Sequence, residues 1–72
     1  MELLGLPVYD DEARRMGRVV EARKHELVIR GPWPLRREYD IDLKQVQAAV
    51  ADAIYLSLPK MDYPVVKRRR RG

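Results

Sequence analysis

Hydrophobic and polar positions along this chain alternate in short runs, each broken by a charge cluster, a glycine or a proline, and that pattern predicts short strands. Leu6, Val8 and Tyr9 suit a first strand with Pro7 at its opening, where a missing N–H is tolerated. Asp10-Asp11-Glu12-Ala13-Arg14-Arg15 then places turn formers and charge between two apolar runs, as a hairpin connection does. A second strand is expected from Met16 to Arg23, and Gly17, beside Val19-Val20, marks a bulge or a close backbone approach. Lys24-His25-Glu26 is a polar break. Leu27-Val28-Ile29 is β-branched and short, which predicts a third strand ending at Gly31. From Gly31 to Arg37 no regular element can form, because Pro32 and Pro34 flank Trp33; the expectation is a stiff loop presenting one large aromatic ring. Glu38 to Leu43 alternates acidic and apolar residues, so a fourth strand would turn Tyr39, Ile41 and Leu43 to one face and its acids to the other.

The pattern then forks. Leu43, Val46, Val50, Ala53 and Ile54 fall at helical spacing behind Asp42 as an N-cap, which favours a helix from Leu43 to about Ala53. Ala53 to Leu58, however, alternates with Ile54, Leu56 and Leu58 on one side and Pro59 closing it, which is a strand pattern. Both hold if one helical turn near Leu43-Val46 leads into a strand that bends tightly at Ala51-Asp52 before the next. Lys60 to Val66, with Pro64 and no clear period, reads as a packed or extended segment.

Composition narrows the class. At 72 residues the chain forms one small domain, which hides only about 60% of the surface its unfolded form exposes. Such domains recruit a disulfide, a metal or a second copy as support; with no cysteine and one histidine, self-association is the expected route, and a homodimer follows. The lack of cysteine fits a reducing compartment, so a cytoplasmic location is expected. No apolar run nears the roughly 20 residues that span a bilayer, and an acid, Glu2, stands where a signal peptide carries a base. The net charge of +4 comes from the tail: Lys67 to Arg71 supply five positive charges, leaving ten bases against eleven acids in residues 1–66.

Gly5-Leu6-Pro7-Val8-Tyr9-Asp10, Met16-Gly17-Arg18-Val19-Val20, Tyr39-Asp40-Ile41-Asp42-Leu43-Lys44-Gln45-Val46 and Ile54-Tyr55-Leu56 together resemble the PRC-barrel family, across about residues 3–58. The family is the small β-barrel of the photosynthetic reaction-centre H subunit and of a ribosome maturation factor. Two departures stand out: Ala13 replaces a frequent turn glycine, and Asp42 replaces a frequent proline. The resemblance implies an all-β fold of five to six short antiparallel strands closed into a barrel over residues 1–58, with one helical turn near Leu43-Val46. It favours the turn and strand over the long helix. It also implies an interaction module rather than an enzyme, with no shared catalytic residues to carry over. Residues 59–66 would then be an extended or packed segment, and residues 67–72 a disordered basic tail.

Candidate chemistry is sparse. Asp10, Asp11 and Glu12 lack the alternating spacing of a calcium loop and read as a solvated turn. His25 sits in a predicted turn and Ser57 is the only serine, so no nucleophile and base are signposted; no metal and no cofactor are expected. Trp33 with Arg36 and Arg37 has the residue types of a binding hot spot, although Trp33 could equally close one barrel end as a lid. Tyr55, opposite the apolar face of its strand, joins these as a candidate partner contact; the expected partners are a second copy of the chain and an unidentified protein. Lys67, Arg68, Arg69, Arg70 and Arg71 form a candidate phosphate-binding run for RNA or DNA, or a solvated tail; no aromatic lies within it to stack a base.

Overall fold

A computed structural model describes residues 3–67 of the chain. The strands are β1 (Pro7–Tyr9), β2 (Arg15–Ala22), β3 (Glu26–Arg30), β4 (Glu38–Asp42), β5 (Val46–Val50) and β6 (Ala53–Leu56). Single 3₁₀ turns occupy Leu43–Gln45 and Lys60–Asp62, and no helix among the described residues is long and apolar enough to cross a membrane. The fork in the sequence thus resolves as turn and strand. Asp42 caps the first turn, its Oδ1 accepting the Lys44 N–H at 2.8 Å. Ile54 and Leu56, two residues apart, are both buried, a spacing that a helical stripe would not satisfy.

All six strands join one sheet in the order β4-β3-β2-β1-β6-β5. The neighbouring pairs are antiparallel except β1 with β6, which run parallel through Val8 opposite Ile54 and Tyr9 opposite Tyr55. This corrects the expectation of antiparallel strands alone. β1 has one side taken by β2, and the C-terminal hairpin returns its second strand to the other side in the same direction. Closure is also absent: the sheet is open, ending at β4 and β5, because the 3₁₀ turn swings the chain from one edge strand to the other without pairing them.

One face of the sheet holds the core, where Val8, Val19, Ile29, Ile41, Ile54 and Leu56 are each at most 2% exposed. Each contributes about 1.5–3 kcal/mol relative to lying in water. Leu43 and Leu58, placed inward by the alternation, lie past the ends of β4 and β6 and are exposed. The segment after Leu58 is packed rather than loose: Tyr63 joins the core, its hydroxyl accepts the Leu58 N–H, and the Val66 N–H reaches the Glu38 carbonyl at 2.7 Å.

Asp10 ties that segment to the first turn. Its Oδ1 accepts the N–H groups of Glu12 (2.9 Å) and Arg14 (2.7 Å), and its Oδ2 accepts the N–H of Lys60 at 2.7 Å. The sequence reading placed this acid in a solvated turn; it is buried, since a carboxylate fully satisfied by backbone donors no longer needs water. In the same turn Ala13 takes φ +62°, the left-handed conformation that glycine adopts freely, so the turn keeps a glycine shape without the glycine.

Candidate functional site

The outer face of the sheet is assembled by Gly17. In the β1–β2 ladder Tyr9 faces Arg15 and Val8 faces Gly17, so Met16 is an extra residue and β2 bulges there. Three residues apart on a regular strand, Arg15 and Arg18 would point to opposite faces. Through the bulge Arg15 lies opposite Tyr9 and Arg18 opposite Pro7, which puts both arginines on one face. Only glycine fits: φ is +150°, and an added Cβ would sit 2.1 Å from the Arg30 carbonyl oxygen. Both expectations for Gly17, bulge and close approach, are therefore met at one residue.

Arg18 pairs directly across the ladder with Arg30 of β3. Like charges so placed oppose folding by about 0.2–1 kcal/mol. Arg30 is compensated by Glu38, whose Oε2 lies 2.9 Å from both its Nε and its Nη2. Arg18 has no carboxylate partner among the described residues, in contrast to Arg23, which is held between Glu21 (2.7 Å) and Glu26 (2.9 Å). Arg15 donates from Nε to the Gly17 carbonyl at 3.1 Å and stands 5.9 Å over the Tyr9 ring. Tyr9 stacks on Tyr55 with centroids 5.4 Å apart.

Beside this face stands the loop after β3. The Gly31 N–H donates to the Arg37 carbonyl at 2.7 Å and the Arg36 N–H to the Pro32 carbonyl at 3.1 Å, which ties the loop base and lets its tip protrude. Trp33 is 77% exposed, so the loop presents it outward and does not fold it back as a lid. The Trp33–Pro34 peptide is cis. Trp33 lines a hollow of about 350 Å³ walled by Arg15, Arg18, Arg30 and Arg36 with Val20. It also lines a second hollow of about 180 Å³ that runs past Leu35, Arg37 and Lys60. A third, of about 310 Å³, continues along Arg37 and Lys60 to Arg14 and Met61. Among the described residues, no aspartate or glutamate lines any of the three.

Seven of the ten bases in residues 1–66 therefore wall these hollows: Arg14, Arg15, Arg18, Arg30, Arg36, Arg37 and Lys60. The near-neutral total of this part of the chain conceals a segregated surface.

Of the residues picked from sequence, Trp33 and Arg36 line the first hollow together, and Arg37 lines the second, with Trp33, and the third. Tyr55, 37% exposed, does not line them; it stacks on Tyr9, over whose ring Arg15 stands. Lys67 is exposed, and Arg68 to Arg71 lie outside the described residues. Sequence reading missed Arg15, Arg18, Arg30 and Tyr9. The signal was there in part, as arginine at polar positions of two successive strands, but only the bulged register places them side by side.

The acidic cluster is a turn. The carboxylates of Asp10, Asp11 and Glu12 lie within 4.8 Å of one another, yet both oxygens of Asp10 are committed to backbone donors and Glu12 pairs with Arg14 at 2.6 Å. His25 is exposed, and its carbonyl accepts the Leu43 N–H. No protein-family model matches the chain, and no curated protein or solved structure matches it.

Proposed function

We propose that this chain is a non-enzymatic interaction module of the PRC-barrel kind, docking a partner through Trp33 and the arginine-walled hollow beside it. The observation that carries the reading is Trp33 itself, 77% exposed on a tied loop with arginines around it. A small domain with little apolar surface to spare gives up burial by holding an indole in water, and Trp with Arg is the pairing that dominates binding hot spots. Docking also fits the chemistry better than catalysis does, since guanidinium groups do not exchange protons near neutral pH. Capture from an extract of the source cells, wild type against Trp33→Ala, tests it. A partner retained by the first and lost by the second is expected; equal retention by both refutes the reading.

The same module is proposed to act as a homodimer, through the outer edge of β5. That strand, Val-Gln-Ala-Ala-Val, carries no charge and no proline, and four of its five residues are exposed. Free sheet edges normally carry lysine or proline to block pairing, so an unguarded one suits a second copy. Light scattering at tens of micromolar should give twice the 8.5 kDa chain mass, and Ala48→Lys should restore the monomer. A wild-type monomer at that concentration refutes the dimer.

A further inference from the structure

We propose that the partner of the Trp33 face is single-stranded nucleic acid, with phosphates on Arg18, Arg30 and Arg36 and an unpaired base stacked on the Trp33 indole. This rests on the reading of that face as the docking surface and gives its ligand a chemistry.

Three observations carry it. The first is charge: among the described residues the hollow beside the indole is walled by four arginines and no carboxylate, although acids outnumber bases in residues 1–66. The second is the direct Arg18 to Arg30 pairing, which opposes folding and is relieved by an anion lying between them. Glu38 neutralises one of the two, so the excess at the ladder rests on Arg18, and Arg36 lines the same hollow. The third is the aromatic surface. Trp33 lines the same hollow as the arginines, and the Tyr9–Tyr55 stack adjoins Arg15. Phosphate-binding grooves interleaved with exposed rings are how proteins hold single strands, each base offering a π-face to a ring. A duplex shows only base edges in its grooves, so its bases could not use the indole. An acidic peptide would satisfy the arginines and leave the indole face without its flat counterpart.

The chain has one tryptophan, so its emission reports on Trp33 alone. Full-length protein is titrated with a ten-nucleotide oligo-dT, an oligo-U of equal length, a dT·dA duplex and poly-glutamate. Quenching by either single strand is expected, the dT and U arms separating DNA from RNA. Arg18→Gln with Arg36→Gln removes two phosphate contacts; it should weaken binding about tenfold at 0.15 M salt and flatten the slope of log K against log salt by about 1.4. Labelled-oligonucleotide anisotropy should show Trp33→Ala binding about 5- to 150-fold more weakly. Circular dichroism confirms that the variants stay folded, and the wild-type quenching and salt slope stand without them. Absence of quenching by both single strands overturns the proposal, as does duplex binding as tight as single-strand binding. Binding that ignores the arginine changes and is lost on deleting residues 67–72 moves nucleic acid to the tail and overturns it too. Poly-glutamate quenching as strongly as the oligonucleotides overturns the nucleic-acid assignment while leaving the docking face intact.

Discussion

Replacing Asp10 by asparagine tests whether one buried carboxylate joins the two ends of the domain. The change keeps shape and one oxygen. If that oxygen stays on the Glu12 and Arg14 N–H groups, the new NH₂ meets the Lys60 N–H, donor against donor, where Oδ2 now accepts at 2.7 Å. Losing that charge-assisted bond and stranding a buried donor costs about 2 kcal/mol, and the other two bonds lose charge assistance worth about 0.5 kcal/mol each. Flipping the amide strands two donors instead and is worse. The expected loss is about 3 kcal/mol, against a total stability of about 4–11 kcal/mol for a chain of this length. With a urea slope near 1 kcal/mol per molar, the midpoint followed by circular dichroism should fall by about 3 M. A pH series supplies a second readout. Burial alone would raise the Asp10 pKa, but the N–H groups of Arg14, Lys60 and Glu12 and the charge of Arg14 outweigh it, and the net shift is downward from 3.8. A carboxyl depressed in the folded state contributes stability that is fully present above its unfolded pKa and is lost as pH falls through the folded one. Wild type should therefore lose stability below about pH 4 more steeply than the asparagine variant. A variant within about 0.5 kcal/mol of wild type, or two parallel pH profiles, would refute the account.

Three further substitutions probe the elements around the site. Ala13→Gly relieves the left-handed backbone at φ +62° and should raise stability by about 0.5–1 kcal/mol, read as a higher thermal or urea midpoint, net of the entropy glycine adds to the unfolded chain. Gly17→Ala drives a Cβ to 2.1 Å from the Arg30 carbonyl, and should cost about 3 kcal/mol or prevent folding; unchanged stability would mean that the bulge is not as described. Trp33→Ala should leave stability within about 0.5 kcal/mol of wild type, whereas Ile29→Ala, at a fully buried position, should cost about 2–5 kcal/mol in the same assay.

Strand positions were legible because a half-buried strand writes its burial with period two: Ile41, Ile54 and Leu56 all fall on the core face as their alternation requires, while β3, buried at Leu27, Val28 and Ile29 alike, was legible from its β-branched run. Turn chemistry was equally local, as at Asp42. The role of Asp10 was not legible, because its third hydrogen bond goes to Lys60, far along the chain, and no spacing rule links the two. Parallel pairing of β1 with β6 was hidden for the same reason. For the candidate site, Trp33, Arg36 and Arg37 announced themselves by residue type in one loop. Arg15 and Arg18 did not, since counting by twos puts them on opposite faces and the bulge at Gly17 reverses that result.

The parallel seam between β1 and β6 also sets the order in which the molecule can assemble. β1 to β4 form a meander and β5 with β6 a hairpin, each closing short loops, whereas joining Val8 to Ile54 closes one that spans most of the chain. Loop-closure entropy therefore predicts that the two local units form first and that the seam joins them after the rate-limiting step. A truncation at Val8 that weakens the seam should therefore speed unfolding and leave the refolding rate nearly unchanged, so the lifetime of the folded molecule is governed by a strand of three residues.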